Sequence, residues 1–242
     1  MKTDARRPPQ PGHAPRGLRI IAGLWRGRRW RFPAGPDIRP TPDRVRETLF
    51  NWLAPHIRGA RVLDLFAGSG ALGLEALSRG AAHAEFVDAD AKAVAALRDR
   101  CVEWSAASRG AGTPVGSAGF HRADALAFLA TRAHRTFAGG AAGRGDAVAP
   151  FDIVFLDPPF GAGLWGEAAA RLESGGWLAR DAFIYIEAPT GDGTAGKAGG
   201  PSPGLPPGLP ASWHPWREGK AGEVGYHLLR RGARPDGEDP AT

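Results

Sequence analysis

The chain has 242 residues, 43% of them hydrophobic, and a formal net charge of +6. This length supports one substantial core, and no stretch approaches the ~20 consecutive apolar residues that span a membrane. We therefore expect one main domain, and, because the N-terminus also lacks the apolar region of a secretory signal, a cytoplasmic location. The single cysteine, Cys101, excludes a disulfide framework and a cysteine-based metal site, so we expect no metal.

The basic residues are concentrated at the N-terminal end of the chain. Residues 1–60 contain 13 Lys and Arg against 4 Asp and Glu, whereas the rest of the chain contains 18 against 21. A basic segment beside a near-neutral body is typical of a protein that binds phosphates. A GC-rich genome would also raise the arginine count, but it would not leave the body acidic, so we favour nucleic-acid binding.

The N-terminal part is predicted to be a disordered tail, residues 1–17, followed by a basic extension, residues 18–56. In the extension, LRIIAGLWRGRRWRF alternates apolar and basic residues around glycines, which predicts short strands joined by a turn. RPTPDRVRETLFNWL then predicts a helix, for which Thr41 or Asp43 supplies a capping side chain. Residues 232–242 are predicted to be a second disordered tail.

Between these ends, residues 57–231 alternate apolar strands with helical segments, beginning with RVLDLF and LGLEALSRG. This alternation predicts an α/β fold with a doubly wound, mostly parallel sheet, closed by an antiparallel pair of strands near the C-terminus. The segments 105–118, 138–149 and 190–210 are rich in small residues and proline, and we interpret them as flexible surface insertions.

A glycine loop lies between the first strand of the body and its helix. In DLFAGSGALG, Gly68, Gly70 and Gly73 have the spacing G-x-G-x-x-G, and Asp88 follows Gly68 by 20 residues, at the end of the next strand. Such glycines let the backbone approach a ligand, and an acid at that distance accepts hydrogen bonds from ribose hydroxyls. The pattern predicts a nucleoside-bearing cofactor, either a dinucleotide or S-adenosylmethionine.

Acidic residues around the loop favour the second cofactor, because a sulfonium cation prefers acidic surroundings. Asp64 precedes the loop and Asp157 ends a neighbouring strand. Asp124, beside the backbone N–H of Ala125, is placed to read the adenine edge or simply to cap a helix. The predicted cofactor-binding residues are Asp64, Phe66, Ala67, Gly68, Gly70, Asp88, Asp124 and Ala125.

The stretch FDIVFLDPPF supplies the predicted catalytic residues Asp157, Pro158 and Phe160. An exocyclic amine on a nucleobase is a weak nucleophile because its lone pair is delocalised into the ring. The Asp157 carboxylate and the Pro158 carbonyl can accept its two N–H groups and aim the lone pair at a methyl donor, while Phe160 stacks on the base. These residues fit the amino groups of guanine, adenine and cytosine alike.

The sequence RPTPDRVRETLFNWL, together with FAGSGALGLEALSRG and FDIVFLDPPF, resembles the RsmD family, which methylates guanine N2 in bacterial 16S ribosomal RNA. The resemblance implies a class I methyltransferase, with a Rossmann-like sheet of seven strands and S-adenosylmethionine as the cofactor. It implies 16S rRNA in the small subunit, or in an assembly intermediate, as the partner. Separately, we expect the protein to be a monomer. Its RNA-facing extension would contribute Arg39, Arg44 and Arg46 to substrate binding.

Three alternatives are weaker. A methyltransferase acting on adenine or cytosine amino groups fits the Asp-Pro-Pro-Phe sequence equally well. A nucleotide-dependent oxidoreductase fits the glycine spacing, but no residue for hydride transfer follows the loop. An RNA-binding protein with an inactive α/β domain is disfavoured by the intact Asp88 and Asp157.

Overall fold

The computed structural model describes residues 16–32, 41–137, 149–159, 162–189 and 204–232. These segments form nine strands and five helices. In chain order they are β1 (Arg16–Arg19), β2 (Arg29–Phe32), α1 (Asp43–Trp52), β3 (Arg61–Asp64), α2 (Ala71–Ser78), β4 (His83–Asp88), α3 (Ala91–Gly110), β5 (Ser117–Arg122), α4 (Ala125–Phe137), β6 (Phe151–Leu156), α5 (Trp165–Ser174), β7 (Leu178–Pro189), β8 (Trp213–Ala221) and β9 (Val224–Arg231).

The predicted doubly wound sheet is confirmed. Seven strands pair in the order β5-β4-β3-β6-β7-β9-β8. The first five of these are parallel, and β9 runs antiparallel to both β7 and β8. The order reverses between β3 and β6, and ligands of such sheets bind at this switch, beyond the carboxyl ends of the strands.

Each face of the sheet carries its own hydrophobic core. On one face, apolar residues of α1, α2 and α3 pack with Phe155 and Tyr185. On the other, apolar residues of α4 and α5 pack with Leu63 and Val154. Alternate residues of a strand point to opposite faces, so every buried strand contributes to both cores.

The predicted hairpin and helix of the extension are present, and they join the first core. Glu75 of α2 accepts the backbone N–H groups of Ile21 and Ala22 at 2.8 and 3.0 Å. Ser78, also of α2, accepts the N–H of Trp25 at 2.8 Å, and the Trp25 ring is buried. The extension is therefore fastened to the helix that follows the glycine loop.

The predicted cap of α1 is wrong. Pro42 occupies the N-cap position, and no side chain caps the helix. The Thr41 hydroxyl instead donates to Glu187, at the end of β7. This long-range contact outcompetes the local hydrogen bond that the sequence suggested.

The interpretation of residues 105–118 as a flexible insertion is also wrong. Helix α3 continues to Gly110, and Ser105 and Ser108 are buried. Ser108 accepts a hydrogen bond from the indole N–H of Trp25 at 3.1 Å, so small polar residues here fit beneath a large ring. The other two proposed insertions fall mainly on residues 138–148 and 190–203, outside the described residues, as do residues 1–15 and 233–242.

None of the helices in the described ranges combines the length and the apolar character needed to cross a membrane.

Candidate active site

Four acidic residues end neighbouring strands at the carboxyl edge of the sheet. Asp64 ends β3 and Asp88 ends β4, while Asp157 directly follows β6 and Glu187 lies near the end of β7. In the strand register Asp64 pairs with Phe155, and Leu156 pairs with Ile186. Asp64, Asp157 and Glu187 therefore lie on the same face of adjacent strands, the face that α1 and α2 cover.

The glycine loop connects β3 to α2 at this edge, and each of its glycines is needed for a different structural reason. Gly68 and Gly70 adopt φ angles of +49° and +72°, which favour glycine. A Cβ on Gly73 would lie 2.2 Å from the Phe86 ring, so this glycine permits close packing between α2 and β4. The loop thus has the geometry expected of a backbone that approaches a ligand.

Asp64 lies beneath the loop and is nearly inaccessible, with 4% of its surface exposed. Its carboxylate accepts the Gly73 N–H at 3.0 Å. Burial and, to a smaller extent, the charge of Asp88 raise its pKa to about 7, against the hydrogen bond from Gly73, which lowers it. A buried acid of this kind fits a cationic ligand, because a nearby positive charge would stabilise its ionised form.

Asp88 is half-buried and braces the loop from the neighbouring strand. Its Oδ2 accepts the Gly68 N–H at 2.7 Å, and its Oδ1 accepts the Asp90 N–H at 2.8 Å. Each carboxylate oxygen has a second acceptor site, so these bonds are compatible with the predicted contact to ribose hydroxyls. They also explain why the carboxylate is held at the end of the strand.

The remaining predicted cofactor residues surround the loop and the start of α4. Ala67 is buried, and its N–H donates to the Val87 carbonyl at 2.9 Å, which anchors the loop to β4. Phe66 beside it is partly exposed, and Ala125 opens α4 as a buried residue.

Asp124 is exposed and accepts the Ala127 N–H at 2.9 Å. The helix-capping role considered for this residue is therefore present. It leaves further acceptor positions on the carboxylate for an adenine edge.

Asp157 occupies the centre of the acidic edge. Its pKa is well above the usual range, first because of burial and then because of the charges of Glu187 and Asp64. Pro158 is buried and Pro159 is exposed, so the chain turns outward directly after the carboxylate. Phe160, the predicted stacking residue, lies outside the described residues.

Glu187 is a member of this edge that the sequence did not reveal as a site residue. It is 7% exposed, and its Oε1 accepts the hydroxyls of Thr41 at 2.8 Å and Tyr185 at 2.9 Å. In the sequence it appears only as a polar residue within the apolar strand FIYIEAP. An acid inside an otherwise buried strand is the signal that would have identified it, because burying a charge is costly without a function or a partner.

The three arginines predicted to bind RNA have different environments. Arg44 is exposed on α1, and Arg39 lies outside the described residues. The prediction for Arg46 is wrong, because its side chain is completely buried. It donates to Asp43 at 2.6 Å and to the Arg19 carbonyl at 2.9 Å, and its Nη1 lies 3.5 Å from Glu75. Arg46 therefore holds the extension together.

A second group of arginines, which the sequence analysis did not single out, lies on the outer face of the hairpin. Arg29 and Arg31 alternate with the buried Trp30 and Phe32, and Arg19 is the cross-strand partner of Arg29. Like charges on facing positions destabilise a strand pair. Arg19 is partly compensated by Asp43 at 3.4 Å, so an anionic ligand would relieve mainly Arg29 and Arg31. We call Arg19, Arg29 and Arg31 the arginine face.

The arginine face is connected to the glycine loop through the hairpin. The indole N–H of Trp30 donates to the Ser69 carbonyl within the loop at 3.2 Å. The inner side of the hairpin thus contacts the glycine loop, and its outer side presents the arginines.

A seven-stranded Rossmann-like sheet, a glycine loop after β3 and an Asp-Pro-Pro sequence after β6 together define a class I methyltransferase. The family model described as conserved hypothetical protein 95 matches residues 18–114 and 122–200. Ribosomal RNA small subunit methyltransferase D of Escherichia coli is 41% identical over 230 residues, which cover 95% of this chain and 98% of that protein. The chain therefore belongs to the family of ribosomal RNA small subunit methyltransferase D.

Two further relatives agree with this assignment. The protein of the same name from Haemophilus influenzae is 39% identical over 170 residues, 70% of this chain and 78% of that one. The solved structure of Escherichia coli yhhF, described as a candidate methyltransferase, is 39% identical with a TM-score of 0.65, covering 90% of this chain and 99% of that one. The RsmD resemblance is confirmed, and the oxidoreductase and inactive-domain alternatives are set aside.

Proposed function

We propose that this chain transfers a methyl group from S-adenosylmethionine to the exocyclic N2 of a guanine in 16S ribosomal RNA. The substrate would be the small ribosomal subunit or an assembly intermediate. The observation that carries this proposal is the position of Asp157, a carboxylate at the switch point of the sheet, beside the glycine loop and directly before Pro158. The names of the relatives support ribosomal RNA as the substrate class.

The residues around the glycine loop fit the proposed cofactor. Asp64, with its raised pKa, suits the cationic amino-acid end, and Asp88 suits the ribose. Asp124 and Ala125 would contact the adenine. When bound, S-adenosylmethionine would supply an electrophilic methyl group on its sulfonium sulfur, which would leave as a neutral thioether.

Asp157 and Pro158 would act on the guanine amine. The Asp157 carboxylate would accept one N–H of the amine and the Pro158 carbonyl the other. These two hydrogen bonds favour a pyramidal nitrogen whose lone pair points at the methyl carbon. As the new N–C bond forms, the nitrogen gains a positive charge, and one of its protons is released to Asp157. The raised pKa of Asp157 makes this carboxylate a better proton acceptor than an ordinary aspartate.

The RNA would be held by basic residues outside the pocket. The arginine face and Arg44 are exposed and lie in the extension, which contacts the glycine loop through Trp30. Backbone contacts of this kind position RNA without reading its sequence, while the pocket reads a base that has been turned out of the helix. We include Arg39 in this set as a proposal from the sequence.

Two measurements test the proposal. Calorimetry with S-adenosylmethionine and with NAD should show binding of the former alone. Incubation of the protein with S-adenosylmethionine and small-subunit particles, followed by nucleoside mass spectrometry, should show new N2-methylguanosine. New N6-methyladenosine or N4-methylcytidine in place of it would overturn the choice of base.

A further inference from the structure

The acidic edge contains one carboxylate more than methyl transfer to an amine requires. Because Leu156 and Ile186 are registered partners, Asp157 and Glu187 occupy the next, adjacent positions on two parallel strands. Their charges are close enough for Glu187 to be the leading electrostatic influence on Asp157. When the amino group of a base is bound at Asp157, the ring nitrogen next to that amino group therefore faces Glu187.

Glu187 is fixed in one orientation. Both hydroxyl donors, Thr41 at 2.8 Å and Tyr185 at 2.9 Å, bind the same oxygen, Oε1. The backbone carbonyl of Glu187 also accepts the Trp165 indole N–H at 3.1 Å, which fixes the strand itself. Among the described residues both side-chain donors bind Oε1, which leaves Oε2 to accept a hydrogen bond from a ligand.

The Watson–Crick edges of the bases respond differently to such an oxygen. Guanine carries a ring N–H, at N1, next to its amino group. Adenine and cytosine carry an unprotonated ring nitrogen next to theirs, which is an acceptor. A carboxylate oxygen therefore binds the guanine edge and repels the edges of adenine and cytosine. A site rejects a wrong substrate when binding it would leave a buried polar group unpaired.

Resting on the proposed function, we propose that Glu187 determines base specificity: its Oε2 accepts the guanine N1–H while Asp157 accepts the N2 amine. The two carboxylates then read adjacent donors, a pattern that guanine alone among the three candidate bases presents. Thr41 and Tyr185 are positioning residues that direct Oε2 to the base. Thr41 belongs to the segment that precedes α1, so the RNA-binding extension also supports the base-reading group.

The test replaces Glu187→Gln and measures base preference. The two hydroxyl donors on Oε1 should hold the amide oxygen in the same place, so the amide NH₂ replaces Oε2 and an acceptor becomes a donor. The substrates are reconstituted small-subunit particles with guanine or 2-aminopurine at the nucleotide that the wild-type protein methylates. 2-Aminopurine keeps the 2-amino group but has an unprotonated N1.

We expect wild-type protein to prefer guanine in kcat/KM, and Glu187→Gln to reduce the guanine to 2-aminopurine ratio by about tenfold or more, since a hydrogen bond to a charged group is lost and a new one is gained. If Glu187 had only a structural role, the substitution would lower kcat/KM equally for both substrates. An unchanged ratio in a variant that still binds S-adenosylmethionine overturns the proposal.

A second variant covers the case in which Glu187→Gln does not fold. Thr41→Val removes one orienting donor and keeps the carboxylate, so the ratio should fall several-fold, and an unchanged ratio here also contradicts the proposal. If wild-type protein transfers no methyl group to guanine N2, the proposed function itself fails. That outcome is distinct from a guanine methyltransferase whose preference does not depend on Glu187.

Discussion

Asp157 and Glu187 end neighbouring parallel strands, and the charge on Glu187 raises the pKa of Asp157. Burial raises the pKa of Glu187 as well, against the hydrogen bonds from Thr41 and Tyr185 that lower it. Two adjacent carboxyls in a buried site titrate as a pair, so protonation of either one affects the other. The two carboxyls therefore titrate at a higher pH than isolated carboxyls do.

This pairing predicts the pH dependence of methyl transfer. Activity requires ionised Asp157, so it should fall as the pH decreases through a pKa well above that of an ordinary aspartate. Glu187→Gln removes the neighbouring charge and should move this acid limb of kcat to lower pH, whatever its effect on the rate. An acid limb at the same pH in both proteins, in profiles measured at saturating cofactor, would show that the two carboxyls do not interact.

The raised pKa of Asp64 predicts that the free energy of unfolding changes with pH. Its pKa is about 7 in the folded protein, against 3.8 as the usual value, so the folded state binds the proton more tightly than the unfolded state does. The contribution of this carboxyl is largest at low pH and is lost as the pH rises from about 4 through about 7. Asp157 and Glu187 also have raised pKa values and remain in the variant, so urea unfolding should show a smaller decline in Asp64→Asn than in wild type.

The exposed Asp99 of α3 offers a matched control for that measurement, and Asp99→Asn should follow the wild-type curve. Saturating S-adenosylmethionine should oppose the loss above pH 7 in the wild-type protein, because a cation beside Asp64 favours its charged form. A wild-type decline that persists fully in Asp64→Asn would assign it to other groups.

We expect replacement of Arg44 and of Arg46 to have different effects on stability, although the two residues are only two positions apart. Arg46→Met leaves the fully buried Glu75 without one of its cations, so the free energy of unfolding should fall by about 3–5 kcal/mol. Arg44→Met changes an exposed position, so stability should stay within about 0.5 kcal/mol. RNA binding should weaken in Arg44→Met. Denaturant titrations that ranked the two variants in the opposite order would contradict the buried role of Arg46.

The arginine face should contribute to RNA binding mainly through salt-dependent contacts. Replacing Arg29 and Arg31 with Gln should lower the slope of log K against log salt by roughly 1.5, as expected for two lost phosphate contacts. Arg58 and Arg180 are exposed near the amino ends of β3 and β7, at the edge of the sheet opposite the acidic residues. Replacing both of them with Gln should leave the slope unchanged. Fluorescence anisotropy with a 16S RNA fragment over a range of salt concentrations distinguishes the two outcomes.

Much of the fold was predictable because its elements follow local periodicity. The glycine loop, the helix Ala71–Ser78 that follows it and the antiparallel pair near the C-terminus all lie where the sequence pattern placed them. The small residues of 105–118 indicate a loop in the sequence, but Ser108 in this segment binds the Trp25 indole, more than 80 residues away, which no local pattern shows.

The site was predictable where a motif marks it and not where tertiary contacts create it. Asp157 and Asp88 are recognisable from their neighbours in the sequence. Arg44 and Arg46 look equivalent in sequence, and only the position of Glu75 in the folded chain separates them. Glu187 becomes a site residue only when β6 and β7 pair and the segment before α1 supplies Thr41.

The most direct test of the central claim is the nucleoside content of 16S ribosomal RNA from cells that lack this protein. Mass spectrometry should show the loss of one N2-methylguanosine, restored by the wild-type chain and not by Asp157→Ala, whose kcat should be lower by about 100-fold or more. Full restoration by a folded Asp157→Ala protein, or an unchanged N2-methylguanosine content without the protein, would contradict the account.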